Sequence, residues 1–249
     1  MNDNPAPLLA IKGVGIRFGG LAALNGVSFA VAPGEIIGLI GPNGAGKTTL
    51  FNVITGLLRP TAGTIRFRGQ DITALPSHAI CRRGIARTFQ LVRIFPSLTV
   101  LQNVLVGGCF GREAGGRPIA AARAEAMAHL RTAGLEGDAN RPAGSLPIAD
   151  RKRLEIARGL ATGPALLLLD EVIAGLTPSE AGLLMDLIGR IRAAGTTIIM
   201  IEHVMKAIMN LSDRIVVLHH GEKLAEGAPQ AIARDAAVVA AYLGEQAWA

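Results

Sequence analysis

Apolar and polar residues alternate along some stretches of this chain and run together along others. In "GTIRFRG" (63–69) the alternation has the period of two expected of a strand with one face in water, and "LLAIKGVGIRF" (8–18) and "GVSFAV" (26–31) read the same way. "EIIGLI" (35–40) is an apolar strand, and the later stretches "ALLLLD" (165–170) and "TTIIMIE" (196–202) are continuous apolar runs separated by helical patterns. Such strands are buried on both faces, as in a parallel sheet covered by helices. "GIARTFQ" (84–90) and "RIVVLHHGEKLAEG" (214–227) complete the strands, the second as a hairpin across His219 and His220. Helical spacing fills 46–58, 99–108, 118–134, 151–161, 178–195, 203–211 and the tail from Pro229. His78 and His129 fall on surface helices. From Gln90 to Asp150 the chain is almost all helix and loop, interrupted by "GREAGGRP" (111–118), which reads as an inserted helical lobe. The prediction is an α/β fold with a mostly parallel core sheet, an N-terminal antiparallel β subdomain and an inserted helical subdomain. Its parts are a core of 1–90 and 150–228, a helical subdomain of 91–149 and a C-terminal helical tail of 229–249.

Composition narrows the class. The 249 residues suffice for one large α/β domain, and 50% are hydrophobic but only 4% aromatic. The apolar runs are far shorter than the roughly 20 residues of a membrane span. The opening "MNDNPAPLLAIKG" has neither a basic n-region nor a cleavage site, so a cytosolic protein is expected. Cys81 and Cys109 have no metal spacing and are expected to be reduced and structural. The net charge of +6 is compatible with nucleic acid, anionic lipid or a solvated surface. No aromatic residues interleave the basic clusters at 81–83 and 150–153, which favours the solvated surface and speaks against nucleic acid.

The sharpest chemistry is in "GLIGPNGAGKTTL". Gly41, Pro42, Asn43, Gly44, Ala45, Gly46, Lys47 and Thr48 form G-x-x-x-x-G-K-T, followed by Thr49, between an apolar strand and a helix. In that setting backbone N–H groups close around phosphate oxygens at a helix N-terminus. Lys47 is expected to reach the β- and γ-phosphates and Thr48 to bind Mg²⁺, so the fold is a P-loop NTPase. Asp170 ends a buried strand where an acidic residue holds Mg²⁺, and Glu171 can orient or deprotonate water. His203 ends another buried strand, as Asp170 does, at the carboxyl ends where such sheets bind ligands, and could bond the γ-phosphate and the attacking water. Gln90 either ligates Mg²⁺ or its water, or only begins the lobe.

In this order the motifs resemble the ATP-binding cassette (ABC) ATPases across essentially the whole chain. The finer likeness is to the ATPase subunits of branched-chain amino acid importers, carried by "RFGGLAALNGVSF", "GIARTFQ", "LTVLQNV", "RLEIAR", "IEHVM" and the ending "AEGAPQAIARDAAVVAAYLGE". The resemblance implies that Phe18 stacks on adenine, that Gln90 is the lid glutamine and a Mg²⁺ ligand, and that Glu171 is the catalytic carboxylate. It implies ATP and Mg²⁺ as cofactors. It implies a second ABC ATPase subunit, identical or different, two integral membrane permease subunits and, indirectly, an extracytoplasmic solute-binding protein. The location implied is peripheral, at the cytoplasmic face of the inner or plasma membrane, with 91–96 and "SLTVLQNV" receiving the membrane subunits. The function implied is ATP hydrolysis energising import of a small solute, branched-chain or related hydrophobic amino acids first. The solute itself is specified by other chains.

Three alternatives stay open. One is another ABC transporter, such as the lipopolysaccharide-export type, against which "GIARTFQ" counts. A second is a soluble ABC ATPase acting on nucleic acid or ribosomes; those carry paired cassettes, a coiled coil or a zinc insertion. The third is a regulatory partner that does not hydrolyse ATP, suggested by departures from the family pattern. Leu146, Pro147, Ile148, Ala149 and Asp150 stand where the family has L-S-G-G-Q or, in this subgroup, L-S/A-Y-G-Q. Val172 replaces a usual proline, and Thr177 an aspartate or asparagine. In the family this loop caps the γ-phosphate held by the partner subunit. Pro147 brings neither hydroxyl nor N–H, and each hydrogen bond lost to a charged partner costs roughly 1.5–3 kcal/mol. A weakened site is expected, not a dead one, with an asymmetric heterodimer as an option. Arg151 and Lys152 could add positive charge but are expected on a solvated helix face.

Overall fold

The computed structural model describes residues 6–111 and 119–246, so most of the predicted break at 111–118 lies outside the described residues. In chain order the first elements are β1 (Leu9–Phe18), β2 (Leu21–Val31), β3 (Ile36–Ile40), α1 (Lys47–Ile54), β4 (Ala62–Phe67) and β5 (Gln70–Asp71). Then follow α2 (Ser77–Arg82), β6 (Ile85–Arg87), α3 (Val100–Phe110), α4 (Ile119–Ala133), α5 (Ile148–Leu160), β7 (Leu166–Asp170) and α6 (Pro178–Ala193). The last are β8 (Thr197–Ile201), α7 (Met205–Leu211), β9 (Arg214–His219), β10 (Glu222–Gly227), α8 (Pro229–Ile232) and α9 (Ala236–Gln246). The chain falls into two compact units, residues 1–77 with 197–249, and residues 78–196.

The first unit holds an antiparallel sheet in the order β2-β1-β4-β5, with Leu9 opposite Val31 on one side and Phe67 on the other. The alternation read in the sequence is realised in β4, where Ile65 and Phe67 are buried and Thr64 and Arg66 exposed. In the same unit β3 lies between β8 and β9, parallel to both, and β10 turns back antiparallel on β9. All five residues of β3 and of β8 are buried, as a strand covered on both faces requires.

The second unit pairs β6 with β7 in parallel, Ile85 opposite Leu166 and Arg87 opposite Leu168. All of β7 is buried, and between β6 and β7 the described residues form α3, α4 and α5. Helix α3 opens on a capping box between Thr99 and Gln102, and α6 on another between Thr177 and Glu180 with a proline in its first turn. Thr177 therefore supplies the N-cap oxygen that an aspartate or asparagine would supply, and Val172 is buried, so these two departures carry a plain structural role.

Helix α5 corrects the sequence reading in two ways. It begins at Ile148 instead of Arg151, with Pro147 as its N-cap at φ −58° and ψ 161°. A proline's fixed φ suits that position, and the first internal bond, from the Arg151 N–H to the Pro147 carbonyl, forms at 3.0 Å. Nor do Arg151 and Lys152 lie on a solvated face. Arg151 turns back to the preceding loop, donating to the Leu146 carbonyl at 2.8 Å and the Gly144 carbonyl at 2.6 Å, and Lys152 is buried. Among the described residues, no helix is long and apolar enough to cross a membrane. Cys81 is half-buried and Cys109 exposed, so the expectation that both are structural fits Cys81 alone.

Candidate functional site

In the first unit β3 delivers the chain into a glycine-rich turn that becomes α1. Gly46 is the N-cap of α1, left-handed at φ 101° and without a side-chain cap. A Cβ on Gly41 would lie 2.1 Å from the Leu218 carbonyl oxygen, and one on Gly46 2.7 Å from that of Ala23. Both positions are therefore closed to any other residue, and the backbone amides of the turn are left free of side-chain cover. Asn43, Gly44 and Thr48 are exposed, Thr49 is half-buried, and Pro42, Ala45 and Lys47 are buried. The Lys47 Nζ folds over the loop, donating to the carbonyls of Gly41 at 2.5 Å and Pro42 at 2.7 Å. An ammonium over a glycine-rich turn at a helix N-terminus is an arrangement for an anion.

The same unit places Phe18 at the end of β1, half-exposed and paired with Leu21 across the hairpin. His203 is exposed in a bend two residues beyond Ile201, and so does not end β8 as Asp170 ends β7. His219 and His220 lie at the turn of the predicted hairpin, their rings tilted at 51° with centroids 4.0 Å apart.

The second unit carries the acidic residues. Asp170 is buried, and its carboxylate pairs with the equally buried Arg87 at 2.7 Å. Its N–H donates to the Thr88 hydroxyl at 3.1 Å. Glu171 follows at φ 51°, one of three residues other than glycine with positive φ among the described residues. Its carboxylate accepts a bond of 2.8 Å from the Gln90 amide. The structure thus brings Gln90 and Glu171 together, and Asp170 precedes Glu171 in the chain. Mg²⁺ is commonly held by one or two carboxylates together with substrate phosphates. No cluster of three or more His, Cys, Asp and Glu exists among the described residues to hold it otherwise. Within the second unit the Asp170 carboxylate, shared with Arg87, is an oxygen donor of the right kind, and within the first unit the exposed Thr48 hydroxyl is another.

Three partners were missed in the sequence, Arg87, Thr88 and Glu155, and a fourth, Lys152, was expected on a solvated face. The Lys152 Nζ donates to the carbonyls of Glu171 at 3.3 Å and Ala174 at 2.6 Å. Glu155 accepts from the Arg93 N–H at 3.0 Å and lies 3.6 Å from the Arg158 guanidinium. Burial pushes the Glu155 carboxyl above its ordinary value, against the lowering effect of the Arg93 amide and Arg158. The only signal in the sequence was the charge of both residues on the otherwise apolar face of a helix.

Residues 24–174 match the family described as ABC transporter, and residues 222–247 the family described as branched-chain amino acid ATP-binding cassette transporter. The chain is 46% identical to the high-affinity branched-chain amino acid transport ATP-binding protein LivG of Escherichia coli K12, covering 96% of this chain and 98% of that one. Among solved structures it resembles the ADP conformation of MJ1267, an ATP-binding cassette of an ABC transporter, with a TM-score of 0.87 and 32% identity, covering 96% and 100%. It also resembles the dimeric post-hydrolysis state of the cassette MJ0796 bound to ADP and Pi, with a TM-score of 0.79 and 27% identity, covering 89% and 98%.

Proposed function

This chain belongs to the ABC transporter family, as one of its ATPases, and from that premise we propose that it energises import of branched-chain or related hydrophobic amino acids through a membrane-embedded permease. The observation that carries the reading is the phosphate loop at the start of α1, with Lys47 folded over it, in a chain so close to LivG.

Within that reading the backbone from Gly41 to Thr49 receives the phosphates of ATP, and Lys47 exchanges its two carbonyl partners for β- and γ-phosphate oxygens. Phe18 offers an exposed ring to adenine. Mg²⁺, when bound, neutralises the developing charge on the transferred phosphoryl group; the Thr48 hydroxyl, Asp170 and Gln90 are the side chains that would hold it or its waters. Glu171 holds and deprotonates the attacking water, and the exchange of its Gln90 hydrogen bond for that water is the step that readies it. His203 donates to the γ-phosphate.

The partners are a second ABC ATPase, two permease subunits and, through them, an extracytoplasmic solute-binding protein, which sets this chain at the cytoplasmic face of the membrane. The dimeric state of MJ0796 supports the first of these. The face for the permease is Leu91 to Pro96 with the stretch 97–104, where Leu91 is 82% exposed and Phe95 45%. Pro147 at the α5 N-cap, with no side-chain cap bond, favours a heterodimer in which a partner's hydroxyl-bearing loop completes one of the two sites.

The test is uptake by proteoliposomes holding the chain with its permease subunits and binding protein. ATP-dependent accumulation of labelled leucine, isoleucine or valine is expected, and should vanish with Glu171→Gln. Hydrolysis without uptake of any of the three would overturn the solute assignment, and ATP-dependent efflux would overturn the direction.

A further inference from the structure

Lys152 and Glu155 project from one side of α5 into the interior of the second unit, and each holds backbone rather than a charged partner alone. Glu155 takes the N–H of Arg93, three residues after Gln90. Lys152 takes the carbonyls of Glu171 and Ala174. One helix therefore holds both segments whose side chains, Gln90 and Glu171, are hydrogen-bonded to each other. The Glu171 backbone is left-handed at φ 51°, which a residue with a Cβ adopts only where its surroundings impose it. A lysine ammonium bonded to the carbonyls at both ends of that turn is such an imposition. Lys152 as a whole is 7% exposed, so water competes little for those bonds.

We propose that Lys152 is a positioning residue for ATP hydrolysis: through the Glu171 and Ala174 carbonyls it fixes the left-handed turn that aims the Glu171 carboxylate. This rests on the reading of Glu171 as the group that activates water. The lysine touches neither nucleotide nor water. It converts the setting of α5, whose first turn carries the altered loop at Pro147, into the setting of the carboxylate. A methionine fills the same space but donates nothing to the two carbonyls. The turn then loses its restraint while the nucleotide-binding loop, built from Gly41 to Thr49, keeps all its own residues. Misplacing a reacting group by about 1 Å costs on the order of 100-fold in rate.

The test compares the full chain with Lys152→Met and Lys152→Arg, measuring ATP turnover, affinity for a fluorescent ATP analogue, and thermal midpoint. For Lys152→Met we expect kcat to fall about 10- to 100-fold with KM and analogue affinity within about threefold of the parent. Lys152→Arg, which still donates to carbonyls, should recover a large part of kcat. A Lys152→Met chain with kcat within twofold of the parent overturns the proposal. So does one in which affinity and thermal midpoint collapse together with no recovery in Lys152→Arg, since that marks a purely structural lysine. A parent chain that binds the analogue without turning ATP over, alone or with its partners, overturns the reading of Glu171 and this inference with it. A parent that turns over beside an unaffected Lys152→Met overturns the inference alone.

Discussion

The Gln90 amide nitrogen lies 2.8 Å from a Glu171 carboxylate oxygen, although 81 residues separate the two in the chain. Each follows a buried strand, and β6 and β7 are paired in parallel, so the register that sets Arg87 opposite Leu168 also brings these two side chains within reach. The carboxylate that would activate water is thereby tied to the residue that begins the helical lobe. Glu171→Gln keeps the size of the side chain and its capacity to bond Gln90, but removes the base. A positioned general base contributes about 10²- to 10⁴-fold. Turnover should fall by at least two orders of magnitude while affinity for the ATP analogue stays within about threefold. Steady-state hydrolysis and equilibrium binding on the same preparation check both halves.

Lys47 should behave in the opposite way. Its ammonium is held by the Gly41 and Pro42 carbonyls over the loop, and its removal leaves the loop's glycines in place but takes away the cation proposed to meet the phosphates. A ligand at 100 times its Kd stabilises a fold by about 2.7 kcal/mol. We expect Mg-ATP to raise the melting temperature of the parent chain and to leave that of Lys47→Ala nearly unmoved. A ligand-induced rise in the variant equal to that of the parent would remove Lys47 from the nucleotide site.

Much of this was legible before any coordinates. The all-buried β3, β7 and β8 were written as apolar runs, and the wet face of β4 as an alternation, because a strand's burial is a local property of its sequence. The phosphate loop was legible because its glycines are demanded by close backbone approach. What escaped was set by pairing at a distance. Nothing local says that Arg87 meets Asp170, or that Lys152 and Glu155 face the interior, since a charged helix residue is ordinarily solvated. The helical pattern starts at Arg151, three residues after the true start of α5, because Pro147 as N-cap carries no side-chain acceptor to mark the helix it precedes.

Glu155 gives the fold a pH dependence of known sign. Burial raises its carboxyl pKa above the ordinary 4.5, so between that value and the raised one the folded chain binds more protons than the unfolded chain. Stability from this group is complete at pH below 4.5 and is lost as pH rises through the raised pKa. Glu155→Gln has no proton to exchange, and its amide oxygen can still accept from the Arg93 N–H. Urea midpoints measured from pH 4.5 upward should therefore decline less in the variant than in the parent. Parallel declines would show that Glu155 does not titrate across that range.

Pro147→Ser separates what the altered loop costs in stability from what it costs in catalysis. As N-cap, Pro147 offers no side-chain acceptor, whereas a serine hydroxyl can accept from the N–H of Ala149 or Asp150, worth about 1 kcal/mol. Removing proline loosens the unfolded chain and costs about 0.4–1 kcal/mol in return. The two nearly cancel, so the melting temperature should move by less than about 4 °C. Catalysis has no such compensation. The N–H groups of Ile148, Ala149 and Asp150 already point out of the helix start, three of the four donors a helix leaves unpaired there. A hydroxyl added beside them supplies a bond to a partner subunit's γ-phosphate worth roughly 1.5–3 kcal/mol, or about 10- to 100-fold in rate. Turnover by Pro147→Ser should rise by about tenfold or more and steepen with protein concentration, because the site it completes belongs to a second copy. Turnover equal to that of the parent would mean that the remaining amides suffice, and that Asp150, paired with Arg153 in the first turn, now limits how closely a phosphate can approach.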